Sequence, residues 1–183
     1  MLNYPGLLLI SVAALSCAAL IPANANDENL PIRTTPRPET TNGVPHVQIG
    51  AEAVPELAAE LLRRVQEIPD VDVRDTVVSL PGAKGFWLAD DLPLKRPDVI
   101  VGGREFAHIH PDGSLHASLH PATAKAAIET GWAVSHPWSD RRPGWEGLVM
   151  IYTPVSAEEL DVVFQLVLGS YNFVTGRALS EEQ

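Results

Sequence analysis

Arg104-Glu105-Phe106-Ala107-His108-Ile109-His110-Pro111-Asp112-Gly113-Ser114-Leu115-His116-Ala117-Ser118-Leu119-His120 is the stretch that decides how this chain is read. Pro111-Asp112-Gly113 is a strong turn signal, because Pro sets the first turn position, Asp suits the second and Gly accepts the left-handed one. Together they predict a three-residue hairpin loop, a type I turn closed by a glycine bulge. His110 then faces Ser114, His108 faces His116 and Phe106 faces Ser118. One face of the hairpin carries Ala107, Ile109, Leu115, Ala117 and Leu119, all apolar. The other carries Phe106, His108, His110, Ser114, His116 and Ser118, with His120 at its end. A two-residue Asp-Gly loop would mix histidines with leucines, so patterning selects the longer loop.

Three imidazoles converge in that register, since opposed strand residues have Cβ atoms about 5 Å apart. Two strand histidines at i and i+2 with one across from them can supply three nitrogen ligands to Zn²⁺, Cu²⁺ or Fe²⁺, with a fourth position left for chemistry. His108, His110 and His116 are therefore the candidate metal ligands and the candidate catalytic residues. Glu105 and Asp112 are the nearby acids, with Glu105 expected on the opposite face. A metal-free catalytic or binding site, and a solvated sheet face whose histidines bond to serines and water, are open alternatives.

Outward from the hairpin the pattern is that of an α+β domain. A helix is expected from Pro55, with Leu57, Leu61, Val65 and Ile68 on one stripe and Pro69 ending it. Strands are expected at Val71–Leu80, Gly85–Ala89, Val99–Val101 running on into Glu105–His110, Trp132–His136 and Gly147–Tyr152. A second helix spans Pro121–Thr130 and stops at Gly131. The third has a capping box, Ser156-Ala157-Glu158-Glu159, an apolar face of Leu160, Val163, Val167, Leu168, Tyr171 and Val174, and a stop at Gly176. The expectation is one small domain, a mostly antiparallel sheet packed with about three helices.

The N-terminal part reads differently. Gly6–Ile21 is apolar and uncharged, and Pro22 and Ala23-Asn24-Ala25 follow it. A cleavable signal over residues 1–25 fits best, although Met1-Leu2-Asn3-Tyr4 holds no Lys or Arg; a retained anchor and a lipoprotein at Cys17 are alternatives. The expected location is secreted or periplasmic, without stable membrane insertion after cleavage. Residues 26–45, rich in Pro and Thr, read as a linker, residues 46–176 as the domain and residues 177–183 as a polar tail.

Composition narrows the function. Thirteen basic against 23 acidic residues among 183 leave a net charge of −10. Without a basic run, general nucleic-acid binding is excluded. Cys17, the single cysteine, rules out a disulfide framework and a cysteine-based zinc site. There is no Gly-x-Ser-x-Gly elbow, no Gly-x-Gly-x-x-Gly and no phosphate loop. Trp132, Trp138 and Trp145 bracket a polar loop with Asp140, Arg141 and Arg142, and suit either a ligand wall or a cap on the core edge. Phe106, Arg104, Trp87 and Trp132 are the candidate ligand-binding residues around the hairpin.

His46-Val47-Gln48-Ile49-Gly50, Pro81-Gly82-Ala83 with Phe86-Trp87-Leu88, the hairpin itself, Gly131-Trp132-Ala133 with His136-Pro137, and Ser170-Tyr171 in the last helix resemble a bacterial family called the luciferase domain, some of whose members are labelled phospholipase. The resemblance covers most of residues 45–176. Its name implies an oxygenase, but this length cannot build the (β/α)₈ barrel of flavin-dependent luciferases. The last helix after a strand also resembles frataxin-like, double-wing domains, a fold-level likeness that carries no function. Two functions follow. One is a module binding a small molecule, a metal or a protein through the histidine face. The other is a small oxygenase or hydrolase with a histidine-based, metal-dependent site. Buried, convergent imidazoles beside an apolar pocket favour the enzyme; imidazoles splayed into solvent favour the module.

Overall fold

A computed structural model of the chain describes residues 30–180. The signal expected over residues 1–25, and residues 181–183 of the tail, lie outside the described residues. A two-stranded ribbon comes first, β1 (Glu39–Thr40) with β2 (Gln48–Ile49), followed by α1 (Pro55–Gln66), β3 (Val71–Asp75), β4 (Lys84–Leu88) and a 3₁₀ turn (Pro97–Val99). Then come the hairpin β5 (Glu105–Ile109) and β6 (Leu115–Ser118), α2 (Pro121–Glu129), β7 (Ala133–Ser135), β8 (Leu148–Ile151) and α3 (Ala157–Thr175). Strands β3 to β8 form one antiparallel sheet in the order β3-β4-β5-β6-β8-β7. This is the α+β architecture the periodicities predict.

The hairpin has the predicted register. His108 pairs with His116, Ala107 with Ala117 and Ile109 with Leu115. The loop closes through His110 N–H to Ser114 O at 2.8 Å and Gly113 N–H to His110 O at 3.0 Å. Gly113 has φ +83°, the left-handed conformation that closes this loop without a Cβ penalty. Ala107, Ile109, Leu115, Ala117 and Leu119 join the core formed with Leu61, Val65, Leu160, Val163, Leu166 and Val167. That core lies between the sheet and α1 and α3, and the histidines sit on the opposite face.

Alternation fails at one place, and the site depends on it. Trp87 pairs with Glu105 but Phe86 pairs with Ala107, so Phe106 is an extra residue in β5, a bulge. The bulge sends Phe106 into the core, its ring 6.1 Å from Phe86 and 6.0 Å from Tyr171. It also brings Glu105 round to the histidines, contrary to the regular alternation that put Phe106 with the histidines and Glu105 away from them. Two expected strands are shortened for local reasons. β3 ends at Asp75, because Thr76 Oγ1 and Val77 N–H donate to the Glu105 carboxylate instead of the ladder. Val99–Val101 does not extend β5, since Pro97–Val99 turns as 3₁₀, with Ile100 N–H bonded to Pro97 O at 3.3 Å.

Helix α3 starts as a modified capping box. Ser156 Oγ accepts from Glu159 N–H at 3.2 Å, but the Glu159 carboxylate reaches Val155 N–H at 3.0 Å rather than Ser156. Its remaining capacity goes to Arg33, 3.0 Å away with a side chain 1% exposed, and to Thr35. The Pro/Thr-rich stretch expected to be a linker is thus laid against the domain from Leu30 onward. Arg33 N–H bonds to Thr130 O, Trp132 Nε1–H to Pro31 O, and Gln48 exchanges two hydrogen bonds with Thr153. Composition suggested a linker because polar anchors leave no periodic apolar signal.

Breaking a buried ion pair by removing one partner costs about 3–5 kcal/mol, because the other charge stays buried. Arg33→Met should therefore lower unfolding stability by about that amount, read from urea denaturation, whereas the Arg33→Met, Glu159→Met double variant should recover much of it.

Candidate functional site

The centre of the site is His116 on β6, which pairs with His108 on β5 on one side and with Met150 on β8 on the other. His108 and His110 stand two residues apart on β5 and its loop junction. The ring centroids of His108 and His110 lie 5.1 Å and 4.7 Å from that of His116. Two histidines that the hairpin does not contain complete the cluster. His46 stacks on His116 at 5.3 Å, and His136 meets it edge-on at 4.6 Å. All five are less than 10% exposed.

Hydrogen bonds orient these rings. The Glu105 carboxylate, with a fully buried side chain, accepts from His108 Nδ1 at 2.9 Å besides Thr76 and Val77. Gly85 makes room for it: opposite His108 in the sheet, a Cβ there would stand 2.8 Å from the Glu105 carboxyl carbon. Ser114 Oγ donates to Asp112 at 2.7 Å, so at 3.0 Å it can only accept from His110 Nδ1. His108 and His110 consequently carry a proton on the outer Nδ1 and turn Nε2 to the interior. His108 Nε2 lies 3.1 Å from His116 Nδ1, and His116 Nε2 lies 3.2 Å from His46 Nδ1.

Burial disfavours the charged form of four of these rings. It lowers His110 and His136 to about 4, places His116 well below its ordinary value and lowers His46 as well. Neighbouring imidazoles add to the effect, His108 first for His110 and His116, and His46 first for His136. At neutral pH these rings therefore offer lone pairs rather than charge.

Two triads bring their ligand nitrogens within 4.8 Å of one another, His108–His110–His116 and His46–His116–His136. Two nitrogens each about 2.1 Å from one ion are separated by roughly 3.0–3.4 Å, and the His108–His116 spacing of 3.1 Å matches. The hairpin triad also has an acceptor behind each ligand: Glu105 behind His108, Ser114 and Asp112 behind His110, and His46 Nδ1 behind His116 once Nδ1 of His116 binds the ion. Such outer partners fix tautomer and ring orientation at metal sites. In the second triad, His136 Nδ1 accepts from Trp138 N–H at 3.0 Å, so its proton sits on Nε2 and no lone pair remains.

A cavity of about 200 Å³, open on one side, lies over the cluster. His46, His108, His110, His116 and His136 share its wall with Val78, Leu80, Val101, Leu148 and Trp138, and among the described residues no Asp or Glu lines it. The candidate ligand residues named from sequence are elsewhere. Phe106 is in the core. Arg104 ties its guanidinium to the Leu88 and Leu92 carbonyls, holding the β4–β5 connection. Trp132 is buried under Arg33. Trp87 packs beneath Arg74, its Nε1–H buried without a partner among the described residues. His120 caps α2 through Ala122 N–H. His46 and His136 carry no local motif, since each arrives from a different connection.

Comparison with known proteins gives a family likeness over the hairpin and the last helix. Residues 103–170 match the family model of the Luciferase domain. The chain is also 29% identical over 167 residues to a protein named luciferase from Armillaria gallica, an alignment covering 80% of this chain and 62% of that one. The chain is thus similar to the luciferase-domain family over residues 103–170. It spans less than two thirds of the fungal relative's length. No solved structure matches it.

Because the depressed imidazoles resist protonation in the folded state but not in the unfolded one, metal-free protein should be insensitive to pH above about 6.5. It should then lose stability as pH falls from there towards about 4, by up to about 1.4 kcal/mol per pH unit for each imidazole. Denaturation midpoints across pH 4–8 measure this, and a flat profile would mean the rings are already solvated.

Proposed function

We propose that this protein is a small metal-dependent enzyme, an oxygenase acting on an apolar small molecule bound in the histidine cavity. The observation that carries the proposal is the hairpin triad itself: three buried imidazoles aimed at one point, each backed by its own acceptor. A site built only to bind an apolar ligand has no need of that arrangement. His108 Nε2, His110 Nε2 and His116 Nδ1 would hold a divalent Fe, Cu or Zn ion, leaving its remaining positions towards the cavity. Such an ion supplies Lewis acidity and, if iron or copper, a route for electrons to dioxygen. Glu105 holds His108 and offsets part of the ion's charge, while the apolar walls exclude water from the reacting atoms. The name of the fungal relative, luciferase, supports oxidation over hydrolysis as the reaction.

The first experiment is metal analysis of untagged protein, with oxygen consumption as the activity readout. Near-stoichiometric metal is expected in the wild type, with loss of most of it in a His108→Ala, His116→Ala double variant. Glu105→Gln should weaken metal affinity roughly 10–100-fold while leaving the fold intact. No metal after incubation with zinc, copper or iron would overturn the proposal.

Export belongs to the same proposal. The apolar, uncharged Gly6–Ile21 run followed by Ala23-Asn24-Ala25 supports removal of residues 1–25 and a secreted or periplasmic enzyme. N-terminal sequencing of protein from its native compartment should begin at Asn26, and a chain beginning at Met1 would contradict it. Among the described residues no helix is long and apolar enough to cross a membrane.

A further inference from the structure

Two features of the cavity are not used by the metal centre. The first is His136. Its Nδ1 accepts the Trp138 backbone N–H, so its Nε2 is a donor, and among the described residues no hydrogen bond engages this nitrogen. His136 forms part of the cavity wall, so the donor is available to whatever the cavity holds. The second is Arg141. It is exposed, its guanidinium lies 5.3 Å over the ring of Trp138, and that ring lies 5.4 Å from His136. Among the described residues no carboxylate comes within ion-pair distance of Arg141. Asp140, its neighbour in sequence, makes no such contact, and Asp98 pairs with Arg96.

The neighbouring cations are occupied differently. Arg142 lies over Trp145 and donates to the Asp98 carbonyl, and Arg96 lies over Phe173 besides its ion pair. Arg141 is thus held on the tryptophan that lines the cavity, uncompensated, in a chain of net charge −10. Among the described residues the cavity wall carries no acid to oppose an anion, and beyond the imidazoles it is mostly apolar.

We infer that the cavity selects an amphiphilic organic anion. Its apolar body lies against Val78, Leu80 and Leu148, and its anionic oxygen is bound on the side of His136 Nε2–H and Arg141. This rests on the cavity being the substrate site proposed above, but not on the presence of a metal. In that arrangement His136 donates a hydrogen bond to the substrate, while Arg141 at the rim attracts the anion and sets specificity for charge.

The test uses two fluorescent dyes with the same apolar body, 1-anilinonaphthalene-8-sulfonate and its uncharged parent N-phenyl-1-naphthylamine. Each is titrated into the full chain with metal removed by chelation. Arg141→Gln should weaken the sulfonate about 5-fold, the scale of one exposed ion pair, and leave the uncharged dye unchanged. Arg141→Lys should restore most of the difference, and added salt should weaken the sulfonate alone. Leu80→Trp, which fills the cavity, should weaken both dyes, and thermal melts confirm that each variant is folded. Failure of the wild type to bind the sulfonate would overturn the inference, as would equal effects of Arg141→Gln on both dyes or sulfonate binding that survives Leu80→Trp. Because no metal is present, failure here leaves the metal centre to be judged by metal analysis, and absence of metal there leaves this result standing.

Discussion

The bulge at Phe106 and the buried carboxylate it delivers are the constraint from which the rest of the site follows. A regular β5 would point Glu105 into the helix-side core, where an ionised group has no partners, and Phe106 into the cavity. One extra residue reverses both. Phe106 then fills the space between Phe86 and Tyr171, and Glu105 meets His108 Nδ1, Thr76 Oγ1 and Val77 N–H. A carboxylate in a dry interior is tolerated only when such donors surround it, and together they hold the His108 ring in one tautomer. The price is a strand that ends early, because β3 gives up Val77 N–H to the side chain.

Beyond that carboxylate, polar order propagates along the imidazoles. Glu105, His108, His116 and His46 form one chain of hydrogen bonds, and Ser114 with Asp112 performs the same service for His110. The far end of the chain, His46, lies on the N-terminal segment, which Gln48 fastens to Thr153 and Arg33 fastens to Glu159. An ion pair on the helix side therefore helps hold a ring on the histidine side. Thr153 joins the two regions more directly, since its Oγ1 also donates to Asp112 O at the hairpin loop, 2.6 Å away.

Some of this was legible in the residues. Alternation around Pro111-Asp112-Gly113 gave the loop length, and with it the His108–His116 pairing and the convergence of three imidazoles. The stripe of α1, the Ser156 start of α3 and its stop at Gly176 were equally readable, because caps and periodicity are local. The bulge was not, because Glu-Phe-Ala-His alternates as well as any strand; only the packing of Phe106 against Tyr171 on α3 selects it. Of the expected ligand-binding residues Phe106, Arg104, Trp87 and Trp132, the bulge turns Phe106 into the core, and the other three lie outside the cavity wall.

By itself, then, the sequence determined an α+β domain, a histidine hairpin of defined register and a chemistry limited to imidazole and carboxylate. These depend on short-range preferences: turn residues, strand alternation and helix ends. Tertiary structure alone brought His46 and His136 to the hairpin, 70 residues before His116 in one case and beyond α2 in the other. It alone separated His136, a donor tied to the Trp138 backbone, from the three hairpin rings that can turn ligand nitrogens to one ion. Ring nitrogens are assigned by the partners that reach them, and those partners come from segments remote in the chain, so no local pattern records them.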